Sequence, residues 1–175
     1  MAESPVPGLP RAMVDVYVSA GSNVAPADNL RLACRELTRR FGPLELSGAY
    51  RNPPVGFAGD DFLNLVLRFR TVEPPDAIVA ELELLHTLAG RVRGLERFAP
   101  RTLDLDLLLY GSAMLSGAGI RVPREDILKY GFVLGPLAEL APDLRHPVTG
   151  QTMAELWANF DQARYPMERV RNLLL

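Results

Sequence analysis

Between positions 103 and 107 the chain alternates Leu103, Asp104, Leu105, Asp106 and Leu107. A period of two is that of a β-strand with one face in a core. Leucine on one face and aspartate on the other leaves little choice: the strand backs onto packed apolar side chains, and its two carboxylates share the opposite surface. At a rise of about 3.3 Å per residue their attachment points lie roughly 6.5–7 Å apart, close enough for both acids to lean into the space between them. Aspartate disfavours strands and like charges repel, so the pair needs a compensating charge. A divalent cation supplies it. Mg²⁺ takes hard oxygen ligands, often one or two carboxylates completed by water and phosphate oxygens, and paired metals about 3.5–4 Å apart suit in-line displacement at phosphorus. The alternative is a solvent-facing strand that happens to carry two acids.

The stretch from Gly90 to Arg101 leads directly into this strand and sets Arg91, Arg93, Arg97 and Arg101 against the single acid Glu96. Guanidinium groups match phosphate oxygens in pairs. A glycine-bounded basic segment beside two metal-binding acids reads as a clamp for a polyphosphate; a solvated basic loop is the other reading.

A chain of 175 residues suits one domain. The expected division is a leader over residues 1–13, with three prolines and a glycine between Ala2 and Met13, and a single domain over residues 14–175. The chain has no run near the roughly 18 apolar residues of a membrane span, and its first residues lack the apolar centre of a signal peptide. The expected location is cytoplasmic, with no membrane partner. A net charge of −2 argues against a general nucleic-acid surface. Cys34, the one cysteine, falls on the apolar stripe of a predicted helix and is expected to pack in the core.

In chain order, Val14 to Ser19 reads as a first strand ending in a tight turn at Gly21-Ser22-Asn23. Leu30, Cys34, Leu37 and Phe41 then form one helical stripe, closed by Gly42. Leu44 to Tyr50 is a second strand, and Arg51 to Asp60 is a proline- and glycine-rich shaped loop, either a ligand-holding loop or a plain connector. Phe62 to Thr71 is the clearest strand. Leu63, Leu65, Leu67 and Phe69 take one face, leaving Phe62 and Asn64 side by side on the other. An aromatic plane beside an amide suits a flat heterocycle, stacked on its face and hydrogen-bonded at its edge; a tucked aromatic and a surface asparagine are the alternative. A helix from Pro74-Pro75 to Gly90 buries Ile78, Leu82, Leu85 and Ala89, with His86 beside that stripe as a surface or partly buried polar residue. Beyond the acidic strand come a glycine-rich loop, the segment Ile120 to Asp126 leading into a helix, a packed helical stretch around Phe132 to Leu140, a turn at His146 to Gly150, and a terminal helix from Gln151 with an apolar tail, Val170 to Leu175.

Taken together, Gly21-Ser22-Asn23, Tyr50 to Gly56, Phe62-Leu63-Asn64, Gly90 to Arg93, Pro100 to Asp106, Val122-Pro123-Arg124 and Gly131-Phe132 resemble the signature segments of the 6-hydroxymethyl-7,8-dihydropterin pyrophosphokinases of folate biosynthesis. The resemblance spans Val14 to about Thr152. It implies an α+β fold: a single-domain αβα sandwich with a mainly antiparallel, ferredoxin-like central sheet, usually monomeric. It also implies transfer of pyrophosphate from ATP to the pterin hydroxymethyl group, leaving AMP, with Asp104 and Asp106 holding two Mg²⁺ ions and Arg91 and Arg101 neutralising phosphate charge. By position, Asn52, Pro53, Val55, Phe62, Asn64, Phe98 and Phe132 would meet the pterin. His86, Arg93, Arg97, Arg101, Leu107, Arg121, Arg124 and Tyr130 would meet the nucleotide.

Nearly all of the departures from the family pattern gather on the nucleotide side. His86 stands for a usual glutamate, Glu83 for a glutamine, Arg124 for a histidine, Tyr130 for an arginine and Phe98 for a tryptophan. A hydrogen bond to a charged group is worth roughly 1.5–3 kcal/mol, so losing two or three would weaken nucleotide binding by orders of magnitude. The alternatives are therefore a relative that binds a pterin with little or no ATP-dependent activity, or one with a changed donor or pterin.

Overall fold

Apolar alternation along three strands decides where the layers lie in the computed structural model, which describes residues 12–90, 103–173 and 175. In β1 (Val14–Ser22) the inward residues are Val16, Val18 and Ala20; in β4 (Phe62–Thr71) they are Leu63, Leu65, Leu67 and Phe69. In β5 (Asp104–Tyr110) they are Leu105 and Leu107, preceded by Leu103. These side chains meet Leu30, Ala33 and Leu37 of α1 (Pro26–Phe41) and Ile78, Leu82 and Leu85 of α2 (Pro75–Leu88) in one core. Tyr17, Val66, Leu108 and Leu109 belong to a second core on the other side of the sheet. It is capped by Ile127 of α3 (Asp126–Lys129), by Val133, Leu134 and Leu137 of α4 (Gly131–Leu140), and by Met153 of α5 (Met153–Ala158). The result is helix, sheet, helix.

The sheet runs β5-β1-β4-β3-β8, where β3 is Ala49–Asn52 and β8 is Glu168–Val170, and the short β2 (Glu45–Leu46) also pairs with β4. The paired strands are antiparallel. With β1 and β4 central and a helix after β1 and after β4, this is the ferredoxin-like arrangement that the resemblance implies. Among the described residues, strand β5, which carries the acids, is therefore an edge strand. Opposite it, Val18 pairs with Leu107 and Tyr17 with Leu109, so Leu108 is an extra residue, a β-bulge. The bulge lets Leu107, Leu108 and Leu109 all be buried, serving both cores.

Several local expectations are corrected. Strand β1 continues to Ser22, so Gly21 lies inside a strand and not in a turn. The expected strand Leu44 to Tyr50 is split at Ser47, whose hydroxyl accepts from Val66 N and whose own N–H donates to Val66 O, both at 2.9 Å. Arg51 and Asn52 belong to β3, so the proline-rich loop begins at Pro53. The glycine-rich loop contains a hairpin of β6 (Leu115–Gly117) and β7 (Ile120–Val122), turned by Ala118 and Gly119 at positive φ. The terminal helix is only α5, capped by Thr152 Oγ1 accepting from Glu155 N at 3.1 Å. After it the chain returns as β8 on the sheet's other edge, and Leu175 is 40% exposed.

Helix α1 ends as expected. Gly42 at φ 89° donates its N–H to Thr38 O at 2.9 Å, and Phe41 stacks on Phe69 with centroids 4.4 Å apart. Cys34 is a core residue, and burial pushes its thiol up to about 11. Helix α4 is tied to the sheet by Glu139. One carboxylate oxygen accepts from Gly48 N (3.1 Å) and Tyr50 OH (2.8 Å), and the other pairs with Arg169 Nη1 (2.9 Å).

His146 is buried in its turn and is structural, as expected. Its Nδ1 accepts from the amides of Val148 (3.1 Å) and Thr149 (3.3 Å). Only a ring with Nδ1 unprotonated can do this, and burial lowers its pKa. Since the unfolded chain takes up that proton first, the contribution to stability is complete above the ordinary value of about 6.5 and declines as pH falls below it toward the depressed folded value. His146→Ala is expected to lose about 1–3 kcal/mol at pH 8 and to flatten the dependence of urea midpoint on pH below 6.5, as read by denaturant titration across pH.

Candidate active site

The face of the sheet that carries the second core is only partly covered by α3–α5, and the uncovered end is a cavity of about 360 Å³. The strand alternation decides what lines it. Ser19 and Gly21 come from β1, Asn52 from β3, Phe62 and Asn64 from β4, and Asp104 and Asp106 from β5. Val55, Gly56 and Phe57 of the proline-rich loop form one wall; Asp126, Tyr130, Phe132 and Val133 form the other.

Register brings the polar groups together. Gly21 lies between Asn64 on one neighbouring strand and Asp104 on the other, and Ser19 lies opposite Asp106. A Cβ at position 21 would stand 2.4 Å from Asn64 Oδ1, so the glycine makes room for that amide. Asn64 Nδ2 donates to Asn52 Oδ1 at 2.6 Å, and Asn52 Nδ2 donates to Pro53 O at 3.1 Å. The pair of amides is anchored through Asn52, which is itself buried. Asn23 Nδ2 donates to Asp60 O at 3.3 Å, anchoring the far end of the loop to the end of β1.

The aromatic walls are also built in. Phe57 meets Phe62 edge-on at 6.2 Å, and Tyr130 stacks on Phe132 at 5.0 Å and 18°. Tyr165 packs edge-on against both Tyr130 and Phe132. Gly131 fits under Tyr165 and Phe160, where a Cβ would come within 3.2–3.3 Å.

The acids face a cation. Arg124 Nη2 is 3.5 Å from Asp106 Oδ1, and its Nε donates to Asp126 Oδ2 at 3.0 Å. Burial works against the Arg124 charge, but the carboxylates of Asp106, Asp126 and Asp104 outweigh it and hold the guanidinium above its ordinary range. The Arg124 backbone N–H donates to Leu108 O at 2.9 Å, which seats the residue beside the acidic strand.

Residues 17–142 match the family described as 7,8-dihydro-6-hydroxymethylpterin-pyrophosphokinase. The chain belongs to this family. It is 39% identical over 147 residues to the 2-amino-4-hydroxy-6-hydroxymethyldihydropteridine pyrophosphokinase of Pseudomonas aeruginosa, covering 82% of this chain and 90% of that one. With the protein of the same name from Synechocystis it shares 35% over 157 residues, covering 87% and 80%. Its fold matches the Plasmodium falciparum HPPK-DHPS wild type with pterin and p-hydroxybenzoate at a TM-score of 0.72 and 12% identity. That match covers 89% of this chain and 44% of the solved one, so the chain spans less than half of that longer protein.

Of the pyrophosphokinase positions expected from sequence, the cavity collects Asn52, Val55, Phe62, Asn64, Asp104, Asp106, Tyr130 and Phe132. Tyr130, expected on the nucleotide side, shares a wall with Phe132. Arg124 is held against the acids. Pro53 contributes its carbonyl to Asn52 and does not line the cavity. Four of the expected nucleotide residues that are described lie outside its lining: Arg124 itself, Leu107 in the core, Arg121, exposed and 3.7 Å from Glu125, and His86, only 3% exposed. Burial of His86 corrects the expectation of a surface or half-buried position. Arg91, Arg93, Arg97, Phe98 and Arg101 lie outside the described residues. Sequence reasoning gave no role to Ser19, Phe57 or Asp126. Ser19 was findable as the outward residue two before Gly21, whereas Asp126 becomes visible only when Arg124 is seen to turn toward it.

Gly21→Ala is expected to drive the Asn64 amide from its place, breaking its bond to Asn52 at a stability cost of about 1 kcal/mol. Urea unfolding reads the cost, and the side-chain amide resonances of Asn64 read the displacement.

Proposed function

We propose that the protein transfers the terminal pyrophosphate of ATP to the hydroxymethyl group of 6-hydroxymethyl-7,8-dihydropterin, releasing AMP, as a step of folate biosynthesis. The observation that carries this reading is one cavity, about 360 Å³, in which two ring-facing aromatics, a tethered pair of amides and the two strand acids meet. Its volume is that of a small-molecule site. Family membership and the curated relatives' names support the same reaction.

In this reading the pterin ring lies between Phe62 and Phe132, and Asn64, steadied by Asn52, reads its edge. Asp104 and Asp106 hold two Mg²⁺ ions; a pair of carboxylates on one face is the donor set that Mg²⁺ takes when phosphate oxygens and water complete its shell. Bound there, the metal supplies positive charge against the phosphate oxygens. The pterin hydroxyl oxygen bonds to the β-phosphorus and gives up its proton to solvent, the bond from that phosphorus to the α–β bridging oxygen breaks, and AMP leaves carrying that oxygen. Arg124 is placed to exchange its carboxylate partners for phosphate, and Arg91 and Arg101 join it from the sequence reading. The protein's work is orientation and charge, with little covalent chemistry of its own. Residues 14–175 act as one domain, a reading supported by two cores that share one sheet, and the family resemblance implies a monomer.

A second reading, pterin binding without turnover, draws on Arg124, whose guanidinium already lies against both Asp106 and Asp126. AMP release separates the two. Purified protein with ATP, Mg²⁺ and the reduced hydroxymethylpterin is expected to form AMP, and EDTA to stop it; pterin binding with no AMP would overturn the transferase reading. Asp106→Ala is expected to lower kcat by about 10²–10³-fold and to leave metal-free pterin affinity, measured by calorimetry, within a few-fold. Asn64→Ala is expected to weaken that affinity about tenfold or more, the worth of one or two hydrogen bonds at a buried site.

A further inference from the structure

An edge strand has one side with no neighbour, and its outward amides and carbonyls need partners from elsewhere. In β5 that open side runs past both acids. Among the described residues, two groups close it. Leu108 O accepts the Arg124 N–H at 2.9 Å, and Leu105 N donates to His86 Nε2 at 2.8 Å, in a contact buried from solvent. His86 sits near the end of α2, whose Ile78, Leu82 and Leu85 pack in the leucine-backed core, and its side chain is 4% exposed. Because Nε2 accepts, the ring proton lies on Nδ1, which faces Glu83 Oε1 at 3.4 Å.

We propose that His86 is a positioning residue for the reaction: its Nε2 takes the place of a missing strand at Leu105 and fixes the backbone that sets Asp104 and Asp106 relative to one another. The proposal rests on the reading of those acids as the metal-holding pair. Leu105 is the residue between them, so any rotation of its peptide units re-aims both carboxylates. His86 grips that residue from the leucine side of the strand, while the acids open on the other. It reaches the chemistry through the backbone and has no place in the cavity lining. Displacement of a reacting group by about 1 Å can cost roughly a hundredfold in rate, and two metals about 3.5–4 Å apart tolerate less drift than one. A pinned Leu105 is therefore a requirement of the site, and an edge strand alone does not provide it.

His86→Leu keeps the apolar bulk and removes the acceptor; His86→Gln restores an acceptor near the Nε2 position. His86→Leu is expected to lower kcat about ten- to a hundredfold and to raise the Mg²⁺ concentration for half-maximal rate several-fold, with the KM for pterin within twofold. His86→Gln is expected to recover most of that loss. Unchanged kcat in His86→Leu, a change confined to the KM for ATP, or a His86→Gln variant as poor as His86→Leu would each overturn the proposal. Hydrogen exchange of the Leu105 amide in the unmodified protein gives a readout independent of turnover. Slow exchange, as in an interior strand, is expected, and exchange at the rate of an open edge would overturn the proposal even where His86→Leu fails to fold. A protein that releases no AMP yet protects Leu105 would refute the transferase reading and leave the role of His86 in holding the strand standing.

Discussion

Two like charges have to be kept side by side on a strand, and much of the molecule can be understood as meeting that demand. Strand β5 is backed by Leu103, Leu105 and Leu107 in a core shared with α1 and α2, which prevents it from turning its acids inward. On one side it is laddered to β1. On the other, Arg124 contributes both a backbone bond to Leu108 and a guanidinium close to Asp106. Packing, pairing and charge balance thus act on one segment from three directions.

The ring-facing part of the cavity depends on the same partition of faces. Phe62, Asn64, Ser19 and Gly21 appear beside the acids because each lies on the outward parity of its own strand, in a register that brings Gly21 between Asn64 and Asp104. The opposing wall comes from later in the chain. Phe132 opens α4, its ring is covered by Tyr130 and Tyr165, and the far end of the helix is moored through Glu139 to Gly48, Tyr50 and Arg169. Aromatic stacking and one well-partnered carboxylate set how far that wall stands from the sheet.

Much of this was legible in the sequence wherever side-chain periodicity carried the information. The strand Phe62–Thr71 has the bounds read from its alternation, the helix stripe through Leu30, Cys34 and Leu37 is buried, and the acids open away from their leucines. The failures have a common cause in contacts made at long range. Gly21 looked like turn punctuation because glycine usually is; its actual reason, an amide from a strand more than forty residues later, leaves no trace in its neighbourhood. Ser47 breaks a strand by bonding Val66, the first strand of the hairpin at Ala118 and Gly119 is Leu115-Ser116-Gly117, with no β-branched or aromatic residue, and β8 pairs through only three residues. His86 was read from its helix as a polar side chain near solvent, because nothing local shows that the edge of a sheet lies against it.

The bulge at Leu108 divides β5 into halves with different obligations. Before it lie the acids proposed to hold metal; around it, three successive leucines, Leu107 to Leu109, knit the two layers together, and their loss would cost the fold itself. With the acids in the role proposed for them, natural selection would judge the first half by catalysis and the second by survival of the chain. A descendant that abandoned catalysis could exchange both aspartates for neutral residues, keep Leu107 to Leu109, and persist as a well-folded binding protein.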